Sequence, residues 1–178
     1  RRNYIVTIES LDGFTFVRGG SSPIGWKGTE DSERWNALPF PVVVEEIRPN
    51  RDLAQREYRF LRENAHVRTK YTLPAPSLHW NMWHADQSTG AYPTEERFLH
   101  AVRDYLRSVI EDLVALDCDY IQLDAPNYGV LCDPDAAGFL ESEGRDLARD
   151  LAFYADLDNS VVQDLPGVTT AMHVCRGN

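Results

Sequence analysis

The chain has 178 residues, enough for one domain with a sizeable core and too few for two comfortable ones. Its 43% hydrophobic and 26% charged content is that of an ordinary soluble globular protein, and no apolar run nears the ~20 residues that span a bilayer. A formal charge of −10 argues against a nucleic-acid backbone as partner, and three cysteines without framework spacing, with no opening signal-peptide pattern, lead us to expect the cytoplasm.

The first segment, YIVTIESLDGFTFVRGG, alternates in the strand manner on both sides of Asp12-Gly13. That dipeptide tolerates positive φ, so residues 4–18 are expected to form a β-hairpin. Residues 19–40 are rich in Gly, Ser, Pro and charge and read as a loop, with Trp26 and Trp35 as its anchors. Together, residues 1–40 are a hairpin and an irregular loop ahead of the main body, residues 41–178.

From Pro41 the pattern changes. PVVVEEI is a β-branched run suited to a buried strand, and RDLAQREYRFLRENA repeats apolar Leu53, Ala54, Tyr58 and Leu61 at helical spacing. VRTKYTLPAP is a second strand that stops at its prolines. Thr94 stands as a cap before EERFLHAVRDYLRSVIEDLVAL, a long helix. YIQLDAP is a third strand, DAAGFLESEGRDLARDLAFYADLDNSV a helix broken near Gly144, and VTTAMHV a fourth strand.

This alternation predicts an α/β fold with a parallel sheet and helical crossovers. Polar and unusual residues gather where each strand ends: Glu45 and Glu46, Pro74 to Trp80, Asp124 to Tyr128, and His173 to Asn178. Ligands of parallel α/β folds bind at the carboxyl ends of strands, so the four clusters are expected to face one site. Four strand-helix units cannot close an eight-stranded barrel, so on this pattern alone the sheet is either open or part of a (β/α)8 barrel.

Three motifs carry a resemblance. YIQLDAPNY resembles the IQ-D-P strand of the cobalamin-independent methionine synthase family, and MHVCRGN resembles its zinc strand, in which His and Cys are separated by one residue. LPAPSLHW sits where that family has a proline-rich strand end leading to a tryptophan. The three stand in the family's order, over roughly residues 41–178, and the ending is closer to the shorter single-domain relatives. The resemblance implies the middle of a (β/α)8 barrel; the family's remaining zinc ligands, a glutamate and a second cysteine, lie beyond its His-x-Cys strand.

It also implies a zinc-dependent methyltransferase, moving a methyl group from a 5-methyltetrahydrofolate-type donor to the thiol of homocysteine in methionine biosynthesis. His173 and Cys175 are the implied zinc ligands. On a strand, residues i and i+2 share a face about 6.5–7 Å apart, so the two could share an ion. A coordinating thiol is deprotonated outright, which would ready the acceptor sulfur. Asp124, with Gln122 on the same face, matches the aspartate that contacts the amino-acid substrate, and Trp80 matches the tryptophan beside the pterin. Each has a plain alternative: rim residues for His173 and Cys175, a turn carboxylate before Pro126 for Asp124, a packed rim for Trp80 and Trp83. Cys118 and Cys132 lack ligand-like neighbours.

Two other functions fit the same features. One is a zinc-dependent thiol alkyltransferase of the epoxide-coenzyme M type, which differs in having no pterin pocket around Trp80. The other is a non-catalytic or incomplete module that needs a partner chain, since open sheet edges favour association, including homo-oligomers.

Overall fold

Helix crossovers order the central sheet. In the computed structural model, which describes residues 5–17 and 39–175, three strands run parallel in the order β3-β4-β5: β3 (Tyr71–Pro74), β4 (Tyr120–Asp124) and β5 (Thr169–His173). The register sets Pro74 beside Asp124, and Asp124 beside His173. Two backbone bonds prolong the ladder past the strand ends: Ala75 N–H to the Asp124 carbonyl, and Ala125 N–H to the His173 carbonyl, each 2.9 Å.

The crossover from β3 to β4 is a 3-10 helix (Pro76–Met82), a single turn α3 (Ala85–Ser88) and the long helix α4 (Glu95–Ala115). Thr94 caps α4 as expected, its hydroxyl accepting from the Arg97 amide at 3.2 Å. Phe98, Leu99, Val102, Leu106, Val109, Ile110 and Leu113 recur at three- and four-residue intervals and are all buried, so α4 is the main wall of the core. Helix α2 (Leu53–Asn64) buries Ala54 and Tyr58, and the Tyr58 ring meets Tyr71 of β3 edge-on, 6.2 Å between centroids. The crossover from β4 to β5 holds α5 (Asn127–Leu131), α6 (Pro134–Ser142) and α7 (Leu147–Val162). The expected break falls at Gly144, whose φ of +88° ends α6, and the Asp146 carboxylate caps α7 by accepting from the Arg149 amide.

Residues 5–17 depart from expectation, and the loop expected over 19–40 lies almost wholly outside the described residues. Residues Ile5–Glu9 form a short helix, α1, and Asp12-Gly13 lies inside β1 (Leu11–Val17) rather than at a hairpin turn. β1 pairs antiparallel with β2 (Phe40–Pro49), in a sheet of their own. Gly13 sits at φ +111°, where the register shifts, and a Cβ there would stand 2.9 Å from the Glu45 carbonyl oxygen. The glycine serves a bulge and a close backbone approach, a need as demanding as a turn. Trp26 and Trp35 lie outside the described residues.

PVVVEEI is a strand, as expected, but β2 does not join the parallel sheet. Beyond β1, the Val43 carbonyl accepts from the Ser88 hydroxyl at 2.6 Å, and the Ile47 amide donates to the Tyr92 hydroxyl at 2.9 Å. Side chains of the segment after the 3-10 helix thus take backbone groups that a parallel neighbour would use. The parallel sheet therefore has three strands among the described residues, not four, and no closed barrel is formed by them. Glu45 and Glu46, at exposed positions of β2, leave the set of strand ends that gather at one edge, and Glu45 pairs with Arg48.

Candidate active site at the strand ends

Pleating fixes which side chains share a face. Tyr71, Leu73, Ile121 and Leu123 are buried in the core, on the side where Tyr71 meets α2. Alternation then places Thr72, Pro74, Gln122, Asp124, Ala171 and His173 on the opposite face, and in-register neighbours project together. Hydrogen bonds bear this out on β4. Lys70 Nζ donates to Gln122 Oε1 at 2.6 Å, and Gln122 Nε2 donates to Asp124 Oδ1 at 2.7 Å. The ammonium of Lys70, itself exposed, thereby polarises the amide that holds the carboxylate, and of the two bonds the one between Gln122 and Asp124 is buried.

Asp124 is 6% exposed and Gln122 8%, whereas His173 is exposed. Cys175 lies two residues past the last residue of β5 and is half-buried, so pleating does not set its direction. Among the described residues, no three His, Cys, Asp or Glu side chains come together as a metal-holding group. His173 and Cys175 are the right donor types for zinc but are two of the four that a tetrahedral site takes.

Trp80 is 5% exposed, within the 3-10 helix. The Arg145 guanidinium carbon stands 4.9 Å from its ring centroid, and Arg145 is held by both Glu95 oxygens (2.9 and 3.0 Å) and by Asp150 (2.8 Å). A flat ligand could reach that ring face only by displacing the guanidinium. His79 lies nearby in sequence but is fully buried. Its Nδ1 faces the Ala75 and Pro76 carbonyls at 3.2 and 3.1 Å, and burial pulls its pKa down to about 4, against those two carbonyls.

One polar cluster behind the strand ends was not singled out from the sequence. Asp158, in the C-terminal half of α7 and 0% exposed, accepts from the Ser77 amide (2.9 Å), the Ser77 hydroxyl (2.6 Å) and the Tyr128 hydroxyl (2.8 Å). Asn127 Nδ2 donates in turn to Ser77 Oγ at 2.9 Å. Burial raises the Asp158 pKa despite these donors, and burial and then the Asp158 charge push the Tyr128 phenol up. The available signal was the helix stripe: Tyr154, Leu157, Asp158 and Val161 share the buried face of α7, with a carboxylate among them.

Solved structures share this fold. The chain superposes on a B12-independent methionine synthase from Shewanella sp. W3-18-1, in complex with selenomethionine, with a TM-score of 0.65 at 19% identity, covering 97% of this chain and 42% of that one. A Listeria monocytogenes protein assigned to the vitamin-B12 independent methionine synthases gives 0.66 at 18% identity, covering 99% and 46%. Among curated proteins, the uncharacterized protein YxjH of Bacillus subtilis (strain 168) is 31% identical over 132 residues, 68% of this chain and 32% of that protein. No family model matches. The chain thus spans about a third of its curated relative and under half of the two solved structures. Among the described residues no helix is long and apolar enough to cross a membrane.

Proposed function

We propose that these residues form part of the acceptor site of a methyltransferase that methylates the thiol of an amino acid such as homocysteine. The observation that carries this reading is the row Pro74–Asp124–His173 across three parallel strand ends, with Cys175 two residues on, in a fold shared with methionine synthase structures. In this reading Asp124 receives the ammonium of the acceptor, a charge-assisted contact, while Gln122 holds one carboxylate oxygen. His173 and Cys175 would supply two ligands to a zinc ion, which when bound would keep a coordinated thiol deprotonated. The acceptor sulfur attacks the donor's methyl carbon. The S–C bond forms as the bond to the donor breaks, and the donor leaves with that electron pair and takes up a proton. A folate-type donor is the expected partner, and its approach past Trp80 requires the Arg145 guanidinium to move aside.

The test is cobalt substitution. Cobalt(II) added to the protein is expected to give a thiolate-to-metal charge-transfer band that Cys175→Ser abolishes and homocysteine strengthens. Coenzyme M serves as the comparison thiol because it has no ammonium. Asp124→Asn should weaken the response to homocysteine and leave that to coenzyme M unchanged. A band that survives Cys175→Ser, or that ignores both thiols, rules the reading out; equal responses to both thiols in wild type and Asp124→Asn favour the coenzyme M type of transferase.

A further inference from the structure

Asp158 is the most demanding residue in the core. A carboxylate buried without a cation is costly unless its oxygens are fully hydrogen-bonded, and among the described residues its partners are all neutral donors. An apolar side chain on the same stripe as Tyr154, Leu157 and Val161 would pack there at lower cost. What the carboxylate adds is therefore orientation, and the identity of its donors says of what. Ser77 follows the end of β3 at Pro74, and Tyr128 follows the end of β4 at Asp124.

Each donor is tied to Asp124 through a short backbone path. Tyr128 N–H meets the Ala125 carbonyl at 3.4 Å, closing the turn that leaves Asp124. Leu78 N–H meets the Ala75 carbonyl at 3.1 Å, and Ala75 N–H meets the Asp124 carbonyl at 2.9 Å. Asn127, by donating to Ser77 Oγ, joins the two segments directly. We propose that Asp158 is a positioning residue that pins the segments after β3 and β4 to one point on α7, through Ser77 and Tyr128, and so sets where Asp124 stands. The second arm of the test below rests on the acceptor-site reading above; the first does not.

The chemistry of the clamp predicts a graded series. Asp158→Leu removes both acceptor oxygens and keeps the branched shape, with two bulkier methyls in their place. Asp158→Asn keeps one acceptor for the Ser77 amide and turns an NH2 toward hydroxyls that must rotate to accept it. Tyr128→Phe removes a single bond and adds no bulk, so it carries the test even where Asp158→Leu does not fold.

Amide hydrogen exchange of the full chain reads the clamp directly, because the Ser77 N–H is itself one of its bonds. In Asp158→Leu the Ser77 amide and the amides of 127–131 are expected to exchange at least about tenfold faster, with α4 amides unchanged; Asp158→Asn gives a smaller rise at both segments, and Tyr128→Phe a rise at 127–131 alone. Wild-type exchange at both segments in every variant, or an equal rise in α4, overturns the proposal. In the second arm, homocysteine affinity measured by calorimetry is expected to fall about tenfold in Asp158→Asn at an unchanged melting temperature. Unchanged affinity alongside faster exchange would overturn the link to Asp124. Failure of the wild type to bind homocysteine would count against the acceptor-site reading alone, and exchange would still decide the role of Asp158.

Discussion

Asp124 and His173 are in-register neighbours on adjacent parallel strands, and the Ala125 amide that follows the first donates to the carbonyl of the second at 2.9 Å. A carboxylate and an imidazole thereby come to one strand-end edge from residues 49 positions apart (173 − 124), with a helical crossover between them. The arrangement ties the reactivity expected of one to the placement of the other.

Metal binding by this chain is expected to be loose and to depend on Cys175. Zinc content after dialysis should fall well below one per chain, since two protein donors leave half a tetrahedron to water. Cys175→Ser should remove what remains. Cys118→Ser should not, because Cys118 is 1% exposed with its thiol toward the Tyr120 carbonyl at 3.5 Å. Stoichiometric retention, or equal loss in both variants, would show that the donor set is a different one.

Acid should weaken the fold through His79. Its folded pKa is about 4 against 6.5 unfolded, so between these values the unfolded chain binds a proton that the native one does not. The stability contribution is complete above pH 6.5 and is lost as pH falls to about 4, by about 3 kcal/mol in all. His79→Leu should flatten that part of the stability curve, measured by urea unfolding at closely spaced pH values. An unchanged slope would mean that another group is titrating.

Arg145 should behave as a partly buried ion-pair centre. Its side chain is 23% exposed and its partners Glu95 and Asp150 are 18% and 21% exposed. Removing one member of a buried pair costs roughly 3–5 kcal/mol, and partial solvent access lowers the expectation for Arg145→Met to about 2 kcal/mol. A double-mutant cycle with Glu95→Gln should show strong coupling. Additive effects would assign the loss to packing on Trp80 instead.

Gly13→Ala should destabilise by about 1–3 kcal/mol, because it combines a left-handed φ of +111° with a 2.9 Å contact to a backbone oxygen. Gly90→Ala is the control: nothing lies within 4 Å of its added methyl, and a melting temperature near wild type is expected. A Gly13→Ala protein as stable as wild type would mean that β1 and β2 can slide to a new register.

The long helix and the central strands were legible because several signals agreed. In α4 an apolar stripe, a Thr94 cap and flanking turns point the same way, and β4 is a short apolar run ending in a carboxylate. β1 reads as half of a hairpin because Asp12-Gly13 suits a tight turn and a bulge equally well. Its true partner lies beyond a long intervening segment, where local pattern carries no information about pairing. β2 was recognisable as a strand but not as an antiparallel one, since its edge is closed by Ser88 and Tyr92 rather than by a sheet neighbour. The Asp124, Gln122 and His173 face followed from period-two alternation. Asp158 did not, because whether a carboxylate on a helix stripe is buried depends on which donors the fold brings to it.

The closing of β2 by a serine and a tyrosine has a bearing on how the molecule behaves when crowded. A bare strand margin invites a like strand from another molecule, the first step toward fibrils. Here the Val43 oxygen and the Ile47 nitrogen are already engaged by side chains of their own chain. A stray strand would have to break both bonds before it could dock.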